Sequence, residues 1–158
     1  MRITIAAIGR QKSGPETELV RRYVTRAEAE GRRIGLNIQI REFPESRAAS
    51  AAARKTAEAK SLIEALPAKC ALVVFDERGK GLTSEEFAAL VGRSRDAGRD
   101  VVLVIGGPDG VDEGLRAKAD AVLSLGRMTL PHQLVRVLAV EQVYRATTIL
   151  SGHPYHRA

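Results

Sequence analysis

Two histidines three residues apart, His153 and His156, stand near the C-terminal end of the chain, with Tyr155 between them and Arg157 after them. An imidazole accepts or relays a proton near neutral pH. A tyrosine flanked by histidine and arginine suits stacking on a base with phosphate contacts beside it. The competing reading is a frayed terminus. A metal site would need His132 or a carboxylate as third ligand, and no recognised zinc spacing is present, so no metal is expected. Upstream lie two glycine-bearing loops. GGPDG at 106–110 offers backbone amides and no side chain at two successive positions, so a ligand can approach the main chain. Taken alone it is better read as a plain tight turn at Pro108–Asp109–Gly110. It is neither a dinucleotide fingerprint nor a P-loop. The second loop, Gly126 to His132 (GRMTLPH), sets Met128 and Leu130 among polar residues, which suits a wall for a flat ring such as adenine, or packing beneath the next helix. No serine or cysteine stands in a nucleophile elbow.

Elements that position these loops follow from periodicity. Ile3, Ile5, Ala7 and Ile8 read as a strand, CALVVF at 70–75 and VVLVI at 101–105 as strands of a parallel interior, and Ala121 to Leu125 as a short last strand. Ile34, Leu36, Ile38 and Ile40 alternate as in a strand near a sheet edge. A helix from Glu16 carries Leu19, Val20, Tyr23, Val24 and Ala27, and Gly31 is expected to end it. The alanine-rich run Ser46 to Leu66 reads as a second helix with Ala52, Ala59, Leu62, Ile63 and Leu66 inward, ended before Pro67. DERGKG, after Phe75, reads as a loop. Thr83 and Glu86 fit a capping box for a helix burying Phe87, Leu90 and Val91 and stopped by Gly98. Leu115 to Lys118 lie on a short helix, and Pro131 sits at the first turn of a long one reaching about Leu150. That last helix is apolar on more than one side, which fits a homodimer seam or burial within one subunit; the seam is the preferred reading.

The alternation gives an α/β domain, a mostly parallel sheet with helices on both faces. Ligands in such sheets bind beyond the carboxyl ends of the strands, which gathers Phe75–Asp76, Gly106–Gly110 and Gly126–Thr129 at one edge. At 158 residues, with 44% hydrophobic and 28% charged residues, one soluble domain over 1–158 is expected. No apolar run approaches a membrane span, and MRITIAAIG reads as a strand rather than a signal peptide. The single Cys70 suits a reducing, cytoplasmic setting as a buried small hydrophobe. The net charge of +6 suits a polyanionic partner, or serves solubility alone, and charge by itself does not separate the two. After Asp120 the only acid is Glu141, against Arg127, Arg136, Arg145 and Arg157.

VIGGPDG, LSLGRMTLPHQLVRVLAVEQVYRA and HPYHR, with the opening ITIAAIGR and the central FDERGKGLTSEEFA, closely resemble the ribosomal RNA large-subunit methyltransferase H family over the whole chain. Its members are S-adenosylmethionine-dependent pseudouridine N3-methyltransferases of the SPOUT superfamily. Phe75 stands where leucine is expected in that family, and an apolar wall survives the change. The resemblance implies a C-terminal trefoil knot, an obligate homodimer, and S-adenosyl-L-methionine among the loop ends at Phe75, Gly106, Leu125, Gly126, Arg127, Met128, Thr129 and Leu130. It implies large-subunit rRNA in the assembled ribosome as substrate. On that basis His156 is the candidate proton acceptor or relay, and Tyr155 stacks on or orients the base. Arg136, Arg145 and Arg157 are candidates for phosphate or the imide oxygen. A non-catalytic ribosome-binding or assembly factor using the same basic surface is the alternative. A nucleotide-binding oxidoreductase is disfavoured by the missing glycine fingerprint.

Overall fold

Strand and helix alternate along the chain in a computed structural model that describes residues 1–155. The elements are β1 (Arg2–Ile8), α1 (Pro15–Arg33), β2 (Asn37–Phe43), α2 (Ala51–Glu64), β3 (Cys70–Gly81), α3 (Ser84–Asp96), β4 (Asp100–Ile105), α4 (Glu113–Ala117), β5 (Ala121–Ser124) and α5 (His132–Ser151). The strands form one sheet in the order β2-β1-β4-β3-β5, and every pairing is parallel. The wholly apolar VVLVI is explained by its central place. Val101, Leu103 and Ile105 face the layer of α1, α3 and α5, while Val102 and Val104 face α2 and α4. A strand covered on both faces has no polar side to show. β2, as expected, is an edge.

Several boundaries differ from the expectation for local reasons. Gly31 lies inside α1 rather than ending it. A Cβ there would stand 2.7 Å from Ile38 Cδ1 and 3.0 Å from the Leu36 carbonyl oxygen, so glycine permits the close return of the chain. The turn itself falls at Gly35, whose φ is +74°. α2 begins at Ala51 because the Ser50 hydroxyl accepts from the Ala53 amide, and Ala52 and Ile63 face outward rather than into the core. The Thr83–Glu86 capping box is present in both directions. Cys70 is half-buried rather than buried; burial and Asp120 push its thiol up, against Arg99.

DERGKG is strand rather than loop. β3 pairs with β5 through Phe75↔Leu123, shifts register, and pairs again through Lys80↔Leu123 and Gly81↔Ser124. The intervening residues arch over β5 as a bulge. A Cβ on Gly79 would lie 2.5 Å from the Leu123 carbonyl carbon, so only glycine allows this crossing.

Candidate functional site

Phe75 is the shared rung of three strands, paired with Ile105 of β4 on one side and Leu123 of β5 on the other. Beyond it the chain leaving β3 goes to α3 on one face, whereas the chain leaving β4 goes to α4 on the opposite face. A crevice opens where the two connections part. It is a pocket of ≈ 340 Å³, at the lower end of the range for small-molecule sites. Of the cofactor residues expected from sequence, Phe75, Gly106, Leu125, Gly126, Met128, Thr129 and Leu130 line it. Arg127 is exposed and is absent from the wall.

The GGPDG loop closes as a turn, with the Gly110 amide donating to the Gly107 carbonyl at 3.0 Å. A Cβ on Gly106 would lie 2.8 Å from Val111 Cγ2 and 2.9 Å from the Gly110 carbonyl oxygen, so the first glycine permits the loop to fold on itself. α2 clamps this loop. Arg54 donates to both Asp109 oxygens, at 2.7 and 3.0 Å, a fork geometry with directional strength. Asp112 caps α4 through the Leu115 amide. On the opposite wall, the Ser124 hydroxyl accepts from the Gly126 amide and donates to the Gly126 carbonyl, shaping the start of the β5–α5 loop. At Gly126 φ is +142° and the side-chain direction is open space. Apolar side chains, two turn glycines and exposed main chain fit a small molecule with a flat ring, such as an adenosyl group.

The wall also holds Glu77, Arg78 and Ser124, which sequence reasoning did not single out, and His132, which it weighed only as a metal ligand and as the end of the second loop. The β3 bulge brings in the first two together with Asp76, already expected at this edge. Burial pushes the Asp76 carboxyl up. The Arg78 amide and the Arg116 and Arg78 guanidinium groups outweigh it and hold the group below its ordinary range. His132 opens α5 at the pocket wall; burial and then Arg136 push its imidazole down, against Glu45. No local sequence signal marks Glu77, because its place depends on pairing with β5.

The residues expected to face RNA divide into three groups. His156 and Arg157 lie outside the described residues. Arg136 is a correction: it is 1% exposed and donates to the carbonyls of Ile8 and Gly9, at 2.7 and 2.6 Å, and to Glu42 at 2.7 Å. A guanidinium enclosed this way holds the ends of β1 and β2 and does not reach phosphate. Tyr155 and Arg145 do come together. The Arg145 guanidinium lies 5.0 Å over the Tyr155 ring, and both bond Glu141, Arg145 at 2.7 Å and the Tyr155 hydroxyl at 3.3 Å. The Tyr155 ring also packs 4.5 Å from that of Tyr144. Burial, Glu141 and Tyr23 push the Tyr155 phenol up to about 12. It stays a proton donor at neutral pH. This cluster is not on the pocket wall; along α5, His132 and Arg145 are separated by ~20 Å at 1.5 Å rise per residue.

Among the described residues, no three His, Cys, Asp or Glu side chains gather as a metal site, and no helix is long and apolar enough to cross a membrane. A family model described as "Predicted SPOUT methyltransferase" matches residues 1–156. The chain is 56% identical over 160 residues to the Ribosomal RNA large subunit methyltransferase H of Rhizobium meliloti (strain 1021), with 100% of both chains covered. It is 54% identical to the protein of the same name in Allorhizobium ampelinum and 52% identical to that of Brucella anthropi, each over 160 residues and 100% of both chains.

Proposed function

From the premise that the chain belongs to the SPOUT methyltransferase family, we propose that it moves a methyl group from S-adenosylmethionine to N3 of a pseudouridine in large-subunit rRNA, working in the cytoplasm on the assembled ribosome. The observation that carries this reading is the ≈ 340 Å³ crevice between the ends of β3, β4 and β5, walled by glycine main chain and apolar side chains. Its relatives are named as methyltransferases of large-subunit rRNA. When bound, the cofactor supplies an activated methyl carbon; the protein supplies placement.

Phe75, Leu125 and Leu130 are the apolar surfaces for the adenine ring, and the main chain at Gly106 and Gly126 offers hydrogen bonds where no side chain intervenes. The imide N3–H of pseudouridine is a weak acid, so its proton must pass to an acceptor and the growing negative charge must be balanced. Tyr155 cannot be that acceptor near neutral pH, since its phenol is held up at about 12. It orients the base, and Arg145 beside it balances charge on phosphate or imide oxygen. His156 takes the proton or relays it, with Arg157 next to it. The separation of Tyr155 and Arg145 from the pocket along α5 supports a homodimer in which one subunit's tail completes the pocket of the other. The reading also includes a trefoil knot made by passage of α5 through a loop.

The chain ending at Pro154 tests the division of labour between pocket and tail. It should bind S-adenosylmethionine with the affinity of the full chain, measured by calorimetry, while methyl transfer to ribosomes falls at least about a hundredfold, as for loss of acid–base and charge-balancing groups. Full activity of the shortened protein would remove the tail from catalysis.

A further inference from the structure

The carboxylates on the pocket wall are not all ion-paired. Asp76 is matched by Arg116 at 3.1 Å and Arg78 at 3.5 Å, and Asp109 by Arg54 at 2.7 Å. Glu77 is different. Among the described residues, no Lys, Arg or His nitrogen lies within 4.0 Å of its carboxylate. Its side chain instead accepts a hydrogen bond from the Thr129 hydroxyl at 3.2 Å. That bond joins the β3 bulge to the β5–α5 loop, two separate walls of the pocket. It also ties the exposed carboxylate to the pocket's rim. His132, the wall's imidazole, is pushed down by burial and supplies no compensating cation at neutral pH.

We infer that Glu77 is a specificity-determining residue: its carboxylate, which has no ion-pair partner of its own, makes the pocket favour the sulfonium cofactor over the demethylated thioether product. The inference rests on the reading of this pocket as the S-adenosylmethionine site. Methyl loss removes one positive charge from the bound molecule, so a fixed negative charge attracts the donor more than the product. The product then leaves more readily than an uncharged pocket would allow. Glu77 is exposed, so the preference is screened by solvent and salt.

The test is calorimetry of the full-length protein with S-adenosylmethionine and, separately, S-adenosylhomocysteine, in the native chain and in Glu77→Gln and Thr129→Val. The ratio of the two Kd values should shift toward the product by about threefold in Glu77→Gln, the size expected of an exposed charge pair. Most of the change should come from weaker donor binding. Added salt should shrink the preference in the native chain and leave Glu77→Gln unaffected. Thr129→Val keeps the charge but removes the bond that holds it, so its preference should fall between those of the native chain and Glu77→Gln. An unchanged ratio in Glu77→Gln, or equal weakening of both ligands, overturns the inference while leaving the pocket as the cofactor site. If neither ligand binds the native chain, the reading of the pocket fails and the inference with it.

Discussion

Arg136 and Arg145 share one apolar helix, yet they do different work. They are nine residues apart, two and a half helical turns, so they leave opposite faces. Arg136 points inward, where burial pushes its guanidinium down and Glu42 pulls it back up. It donates to two main-chain carbonyls at the C-terminal end of β1. Removing it would take a buried donor from both carbonyls and leave Glu42 without its ion pair. Arg136→Met should therefore lower unfolding free energy in urea by about 3 kcal/mol, whereas Arg145→Met, on the partly exposed side, should cost less than about 1 kcal/mol. Equal, small losses would contradict the assignment. Charge sign alone could not separate the two arginines, but the half-turn between them was readable from spacing. Glu77 was not readable at all, because its position is set by a partner strand far along the chain.

At the scale of elements, α5 was legible as a long helix beginning at Pro131, and its many-sided apolarity was legible too. What that apolarity serves divides in the structure. Ala139, Val140, Val143 and Ala146 are fully covered within the subunit, in the layer shared with α1 and α3. Leu134 and Leu138, one turn apart, remain 41% and 39% exposed and mark the outward stripe. Paired apolar residues on the helix that reaches the pocket suit the proposed homodimer seam. Leu138→Glu should convert a sedimenting dimer to a folded monomer at micromolar concentration; a dimer of unchanged stability would move the seam elsewhere. The β3 bulge was missed because DERGKG has the composition of a turn. Its return to Leu123 is a long-range pairing that no local pattern carries, although Gly79, between two charged residues, was its one local trace.

For the whole molecule, the class followed from the alternation of strands and helices, and the three loop ends gathered as the carboxyl-edge rule requires. Strand order did not follow, since parallel strands of similar apolar composition can exchange places without changing the pattern. The expected pocket loops are there, whereas the charged arch of β3 adds to them and Arg136 leaves the functional set. Membership of the SPOUT methyltransferase family fixes the kind of reaction; the base and its atom are the central claim. Nucleoside mass mapping of large-subunit rRNA from cells lacking this chain tests it most directly. One pseudouridine should be lighter by a single methyl group, and the methyl should return at N3 when the native chain is restored. Identical maps with and without the chain would contradict the account.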